Sequence, residues 1–505
     1  MPLYALRVSL SHLSFRIPEL LSISQLFGFE IKFVSADKFR SVLVVELEKD
    51  EHLEHLLDRG MMVMSAIKLY ASGRSYDELH ADLREHKDYL EPHMDQSWKI
   101  TFESINHNVT EKRQRGPIRL KNPEVEFVIY EDCEWLRALS SDDHESAPRY
   151  GRSNSVWRAC LTVLDTFLTE GTHGKDFRLR RDGNFDRVYF GSRIGFGRAR
   201  PLLNTHSVKT RAYYGNTSMD AEMGFIMTSQ TLAAPGKIIY DPFVGTGSLL
   251  YAAAHWGAYV IGSDIDGRQI RGKAKGKETV PGVFRAAEQY GVSNQFLDCL
   301  VYDVTQSPLR RGGWIDAIIT DPPYGVRAGA KRTGKGKSHK KPLLEEPHML
   351  PDGTYSHTRE DYVPPFRPYE LTNLMLDLIL LARYLLVPKG RLVFFLPTVT
   401  EEYEAIDIPV VDGMRELKVG EGSVENFGKW GRRLITMEKT ATDDGPPPTF
   451  EDHPDYADFE KSQERAPGHY QFRDRYFESF KPRVGKVADE VRQESESSSA
   501  VQGSA

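Results

Sequence analysis

"KIIYDPFVGTGSLLYAAAHWG", Lys237 to Gly257, decides the fold. A short β-forming run enters a glycine-rich turn, and the turn opens an apolar helix. Gly245 and Gly247 let the backbone turn tightly and come close to a ligand. The stretch is not a P-loop, because no Lys-Ser or Lys-Thr follows the second glycine, and the third glycine of the dinucleotide fingerprint is missing.

The segments that follow repeat the α/β rhythm. "YVIGSDID" (259–266), "FLDCLVYD" (296–303) and "DAIITDPPYG" (316–325) read as strands. The apolar helix "YELTNLMLDLILLARYLL" (369–386), the strand "RLVFFLP" (391–397) and a last strand around "RRLITMEK" (432–439) complete residues 201–440. Strands separated by helices predict a parallel, doubly wound α/β sheet. Such sheets bind ligands at the carboxyl ends of their strands. Asp241, Asp264 and Asp303 close the first three. Asp264, about 20 residues past the glycines, is placed to accept from both hydroxyls of a ribose. Asp266 is a weaker candidate for that role and a candidate helix cap. Asp303 is placed for an adenine amine, and Asp241 for a cofactor amine. The turn contains no Lys or Arg, which a diphosphate would favour. Carboxylates suit an adenosine-bearing sulfonium with an amino-acid tail, so the reading shifts from NAD to S-adenosyl-L-methionine.

The fourth strand ends in "IITDPPYGVR" (Ile318 to Arg327). Two adjacent prolines cannot lie inside a sheet, because each lacks an N–H. Asp321 and the Pro322 carbonyl are acceptors facing the same crevice, and an exocyclic NH₂ offers two donors. Held by both, the amine nitrogen is drawn out of ring conjugation and its lone pair is aimed at an electrophile. Pro323 fixes the turn and Tyr324 can stack on the base. Alone, Pro-Pro-Tyr reads as a rigid turn; with the strand-end acids it reads as a catalytic site.

The chain of 505 residues is long enough for about two to four domains. Its 40% hydrophobic and 27% charged residues are those of a globular protein. No apolar run is long enough to span a membrane, and the N-terminus has no secretory pattern. Cys133, Cys160 and Cys299 suit neither a disulfide framework nor a metal site, so the expectation is a reducing, cytoplasmic location and no metal. With a net charge of −6, any polyanion must be met by local basic patches. Two exist. "TEKRQRGPIRLKNP" (110–123) is a turn-rich loop, either a solvated face or a phosphate-contacting surface. "RAGAKRTGKGKSHKK" (Arg327 to Lys341) opens a long insertion, 327–368, directly after the catalytic motif. There a basic, glycine-rich arm reads as a reach toward RNA phosphates. Residues 1–70 alternate strands and helices as a small α+β module. Residues 71–200 form a second such segment ending in "RVYFGSRIGFGRAR". Residues 441–505 are Pro- and Ser-rich and are expected to be disordered.

"DPFVGTGSLL", "GSDID" and "TDPPYG" together resemble the THUMP-domain tRNA guanine-N2 methyltransferases. The upstream "HSVKTRAYYGNTSMDAEMGFIM" (206–227) is similar to the eukaryotic catalytic subunits that act on guanosine 10. The resemblance covers about residues 70–440. It implies a Rossmann-like class I methyltransferase domain at 201–440, an N-terminal ferredoxin-like module at 1–70 and a THUMP tRNA-binding domain at 71–200. Carried over, Asp241, Gly245, Thr246 and Gly247 would line the methionine part of the cofactor, Asp264 the ribose and Asp303 the adenine. Asn216, Thr217 and Ser218 would complete that pocket, and Asp321, Pro322, Pro323 and Tyr324 would hold the guanine. The family's catalytic subunit works with a small zinc-binding activator that covers an apolar edge strand. Phe296, Leu297 and Leu300 would be contacts here. "DPPY" also suits a DNA adenine or cytosine amino-methyltransferase, and a non-catalytic RNA-binding subunit with the same fold is the alternative outside enzymes.

Overall fold

The computed structural model describes residues 1–105 (except 36–39, 94, 95 and 97), 125–132, 136–137, 177–178, 186–443, 469 and 472–480. Within 186–443, residues 273–281, 311, 326–328, 335–347, 360–364, 400–407, 418–422 and 429 are not described. The loop 110–123 lies outside the described residues, as does most of the arm 327–341.

Two sheets organise the chain. The first contains β1 (Leu3–Val8), β2 (Lys32–Ser35), β3 (Val42–Glu46), β4 (Val63–Gly73), β5 (Trp98–Ile105) and β6 (Val125–Asp132). After a small pair, β7 (Leu136–Arg137) with β8 (Phe177–Arg178), β9 (Arg187–Phe196) returns to it. Its order is β2-β3-β1-β4-β9-β6-β5. The expected boundary between residues 70 and 71 therefore falls inside β4. That strand pairs with β1 on one side and β9 on the other, so both N-terminal segments share one sheet. Backbone pairing across β4 joins the two segments.

The second sheet contains β10 (Ile238–Asp241), β11 (Tyr259–Asp264), β12 (Phe296–Val301) and β13 (Ile315–Thr320). The insertion contributes a separate ribbon, β14 (Lys331–Thr333) with β15 (Phe366–Pro368), and so is structured in part. The sheet resumes with β16 (Leu386–Val399), β17 (Met414–Glu416), β18 (Ser423–Asn426) and β19 (Trp430–Lys439). The order is β12-β11-β10-β13-β16-β19-β17, with β18 also on β19. β10 to β13 and β16 run parallel, β19 runs antiparallel to β16, and β17 and β18 each pair antiparallel with β19. The direction of winding reverses between β10 and β13, which opens a crevice at their carboxyl ends.

β12 is an edge strand, as the family resemblance implies. Leu297 and Val301 are exposed on it and Leu300 is half-buried. Phe296, however, packs in the core against Tyr251 and Phe284, so it is not available to a partner. One apolar cluster bridges the sheets, beside separate clusters on each. Phe15, Met61 and Met62 belong to the same apolar cluster as the helices Ala221–Gln230 and Ser248–His255. Arg59 donates to the Ala233 carbonyl, and Arg391 to that of Gln230. Among the described residues no helix is long and apolar enough to cross a membrane.

The expectation of a featureless tail fails in one place. Helix Phe472–Phe480 folds back onto the Asp-Pro-Pro-Tyr-Gly turn, with Phe472 fully buried. Its aromatic residues at 472 and 476 share one helical face and pack against Tyr324 and Trp430. That apolar gain outweighs the polar composition around it.

Candidate active site

The crevice is a cavity of about 1890 Å³. Each site residue expected from the sequence lines it except Gly247. Gly245 and Gly247 both hold positive φ, +50° and +85°. A Cβ at Gly247 would lie 2.7 Å from the Tyr251 hydroxyl, which donates to the Thr246 carbonyl, so this glycine serves the turn itself. The "GNTS" segment meets the same turn. Ser218 Oγ is 2.8 Å from Thr246 Oγ1 and accepts from the Gly215 amide, with Asn216 and Thr217 exposed at the rim.

The acids have distinct surroundings. Asp241 Oδ1 accepts from the Phe243 amide at 3.0 Å and Thr320 Oγ1 at 2.7 Å. Burial pushes its pKa up to about 7, helped by the charges of Asp264 and Asp321. Asp264 accepts from the Gly245 and Asp266 amides at 3.0 and 2.8 Å, and burial raises it to about 6. Asp266 caps the helix Gly267–Arg271, so capping is the role it takes.

Asp303 departs from its expected use. One oxygen accepts from the amide and hydroxyl of Thr305, the other from the amide and hydroxyl of Thr333. A carboxylate has about four lone-pair sites, and here the chain fills them. Asp303 clamps β14 to the sheet, and an adenine amine would have to displace Thr333. Nothing around Asp303 signals this, because the partner lies 30 residues away in the insertion.

Asp321 differs from the other acids in having one oxygen paired and one not. Its Oδ2 accepts from Arg432 Nη1 at 2.8 Å, while Oδ1 is buried with no hydrogen-bond partner. Arg432 Nη1 also donates to the Tyr324 hydroxyl at 3.2 Å, and its Nε to Glu425 Oε2 at 2.7 Å. Its guanidinium lies 4.0 Å from the Phe395 ring centroid. Burial works against that charge, and Asp321, Tyr324 and Glu425 overcome it, so the Arg432 pKa is raised. Burial likewise raises Asp321, against the opposing pull of Arg432.

Arg432, Glu425, Phe427, Trp430 and Tyr476 all line the cavity and were missed. A signal existed for the first. In "WGRRL" two adjacent arginines sit inside an apolar strand, and side chains alternate faces. One must therefore point inward, and Arg432 does, at 8% exposed.

The chain's own groups fit S-adenosylmethionine better than a dinucleotide. A buried carboxylate, Asp241, and a half-buried one, Asp264, stand at the turn, and a Cβ at Gly245 would project into free space beside Thr217, 3.9 Å away, leaving room for a ligand's backbone contacts. Among the described residues no group of three or more His, Cys, Asp or Glu could hold a metal ion.

A sheet reversing at β10 and β13, with acids at its strand ends and an Asp-Pro-Pro-Tyr turn lining the crevice, defines a Rossmann-like methyltransferase. Two family models match the chain: "Tmrp11 THUMP N-terminal domain" over residues 2–152 and "RMKL-like, methyltransferase domain" over 209–336. The tRNA (guanine(10)-N(2))-methyltransferase of Schizosaccharomyces pombe is 30% identical, covering 95% of this chain and 97% of its own length. That of Saccharomyces cerevisiae is 30% identical over 94% and 99%, and human TRMT11 31% identical over 96% of each. The chain belongs to the tRNA (guanine(10)-N(2))-methyltransferase family.

Proposed function

We propose that this protein methylates the exocyclic N2 amine of guanosine 10 in tRNA, with S-adenosyl-L-methionine as donor. The observation that carries the chemistry is the buried, unpartnered Oδ1 of Asp321 at the end of β13. An orphaned acceptor costs about 1–3 kcal/mol, and an amine hydrogen satisfies it. Arg432 holds the other oxygen and so fixes which way the carboxylate faces.

Asp241, Asp264, Gly245 and the Asn216–Ser218 segment would hold the cofactor, which supplies an electrophilic methyl group when bound. Asp321 and the Pro322 carbonyl orient the amine, Tyr324 supports the base, and Asp321 is placed to take the proton that the methylated amine loses. No covalent nucleophile is required.

The front sheet is assigned to tRNA binding, and the basic segments 110–123 and 327–341 to phosphate contact. The base must leave its stack to reach Asp321. The edge strand β12 is assigned to the small zinc-binding activator, through Leu297, Leu300 and Val301. Its exposed aliphatic residues, on a strand that pairs on one side alone among the described residues, support that choice.

Asp321→Ala tests the assignment. Methyl transfer to tRNA should fall below detection while calorimetric binding of S-adenosylhomocysteine stays within a few-fold of wild type. Normal turnover by the variant would refute the role given to Asp321.

A further inference from the structure

The helix Phe472–Phe480 follows the last strand of the sheet by more than 30 residues, yet it returns to the catalytic turn. Its fit there is close. Gly325 has φ +95°, and a Cβ on it would come within 3.0 Å of Arg473 Cβ. Phe472 sets its ring against Tyr324 at 6.1 Å between centroids and against Trp430 at 5.8 Å. Tyr476 meets Trp430 edge to face at 5.8 Å and lines the cavity itself. Trp430 in turn stacks on Phe427 at 4.4 Å.

The cavity beside Asp321 is thus bounded by Tyr324, Phe427, Trp430 and Tyr476, with Arg432 between them. The amine held by Asp321 belongs to a flat ring, and that ring must occupy the volume these aromatics enclose. Aromatic walls favour any nucleobase through its π-face. A helix that merely filled space would turn apolar residues to the sheet and leave the cavity alone. This one turns Tyr476 to the cavity.

We propose that the C-terminal helix is a built part of the target-base slot, with Tyr476 forming one wall against the purine extruded from the RNA. The proposal rests on the reading of Asp321 as holder of the guanine amine. Methylation therefore depends on residues 472–480, and cofactor binding does not.

The test uses the full chain, purified with whatever partner it retains, beside Tyr476→Ala, Tyr476→Phe and a chain ended after residue 445. Calorimetry with S-adenosylhomocysteine reads the cofactor pocket and the integrity of the fold. Initial rates with a tRNA transcript read the slot. The expected result is unchanged calorimetry throughout, with kcat/KM for tRNA about 10- to 100-fold lower in Tyr476→Ala. Tyr476→Phe should stay within about threefold of wild type, and the shortened chain should lose at least as much as Tyr476→Ala. Wild-type kcat/KM in both Tyr476→Ala and the shortened chain would overturn the proposal. A gain of activity in the shortened chain would overturn it too, by showing the helix to be a plug. If wild type binds the cofactor analogue but transfers nothing to tRNA, the underlying reading of the site falls as well, and the two failures are told apart.

Discussion

Arg432 is the residue on which the site's electrostatics turn. It joins a carboxylate, a phenol and a second carboxylate from β18, and is 8% exposed. The groups facing Asp321 are Arg432 and Glu425 from the antiparallel strands, Tyr324 from its own turn and Asp241 from β10. Only Arg432 is cationic. Removing it leaves Asp321 with burial and two negative neighbours, so its pKa must rise. Breaking a fully buried pair costs about 3–5 kcal/mol, and this pair, with the Asp321 side chain 24% exposed, costs less. Arg432→Ala should lower kcat by more than about 100-fold at pH 7, and the basic-side recovery of its rate profile should shift to higher pH. Arg432→Lys should be milder, since it keeps the charge and loses the fork that serves Asp321 and Glu425 together. Rates across pH 6–9 check both. An Arg432→Ala profile lowered uniformly, with no shift, would assign Arg432 to structure alone.

Strand ends are the elements that carry the chemistry, and the sequence made most of them visible. The run "KIIYDPFVGTGS" announces a strand, a turn and a helix start within a dozen residues, and acids at equivalent ends follow from the same rhythm. What stayed hidden depended on pairing at long range. Asp303 looks like its neighbours in the sequence, and only the return of β14 reveals that Thr333 occupies it. The helix Phe472–Phe480 was masked by polar surroundings and by a short apolar repeat that makes sense only once Trp430 and Tyr324 are beside it. Phe296 reads as an edge residue until the core claims it. The aligned acids also give a pH signature. Asp241 and Asp264, raised by burial to about 7 and about 6, are proton-bearing at acid pH in the free protein. A raised carboxylate stabilises the free fold most below its unfolded value near 4 and contributes less as pH climbs toward 7. Binding a cationic cofactor reverses the preference, because it favours the ionised form. Affinity for S-adenosylmethionine should therefore weaken about tenfold from pH 8 to pH 6, measured by calorimetry, and Asp241→Asn should flatten most of that dependence. A wild-type affinity constant over this range would contradict the assignment.

At the scale of the molecule, the two sheets are one folding problem. Phe15, Met61 and Met62 from the front complete the core of the methyltransferase sheet. Ser14 bonds both the amide and the carbonyl of Val424, beside Glu425 on β18. The module assigned to tRNA therefore braces the strand that orients Arg432. Residues 201–505 expressed alone should expose that apolar face, aggregate and melt at a temperature several degrees below the intact chain in a thermal scan. A monomeric fragment of wild-type melting temperature would show that the sheets are independent. Methylation of one guanine amine, held at one strand end, in one RNA, depends on residue, element and whole molecule together. Its most direct measurement is nucleotide-resolved mapping of N2-methylguanosine in a tRNA transcript after incubation with labelled S-adenosylmethionine and either wild type or Asp321→Ala. Label is expected at guanosine 10 alone with wild type, and none with the variant. Label at another position, or equal label from the variant, would contradict it.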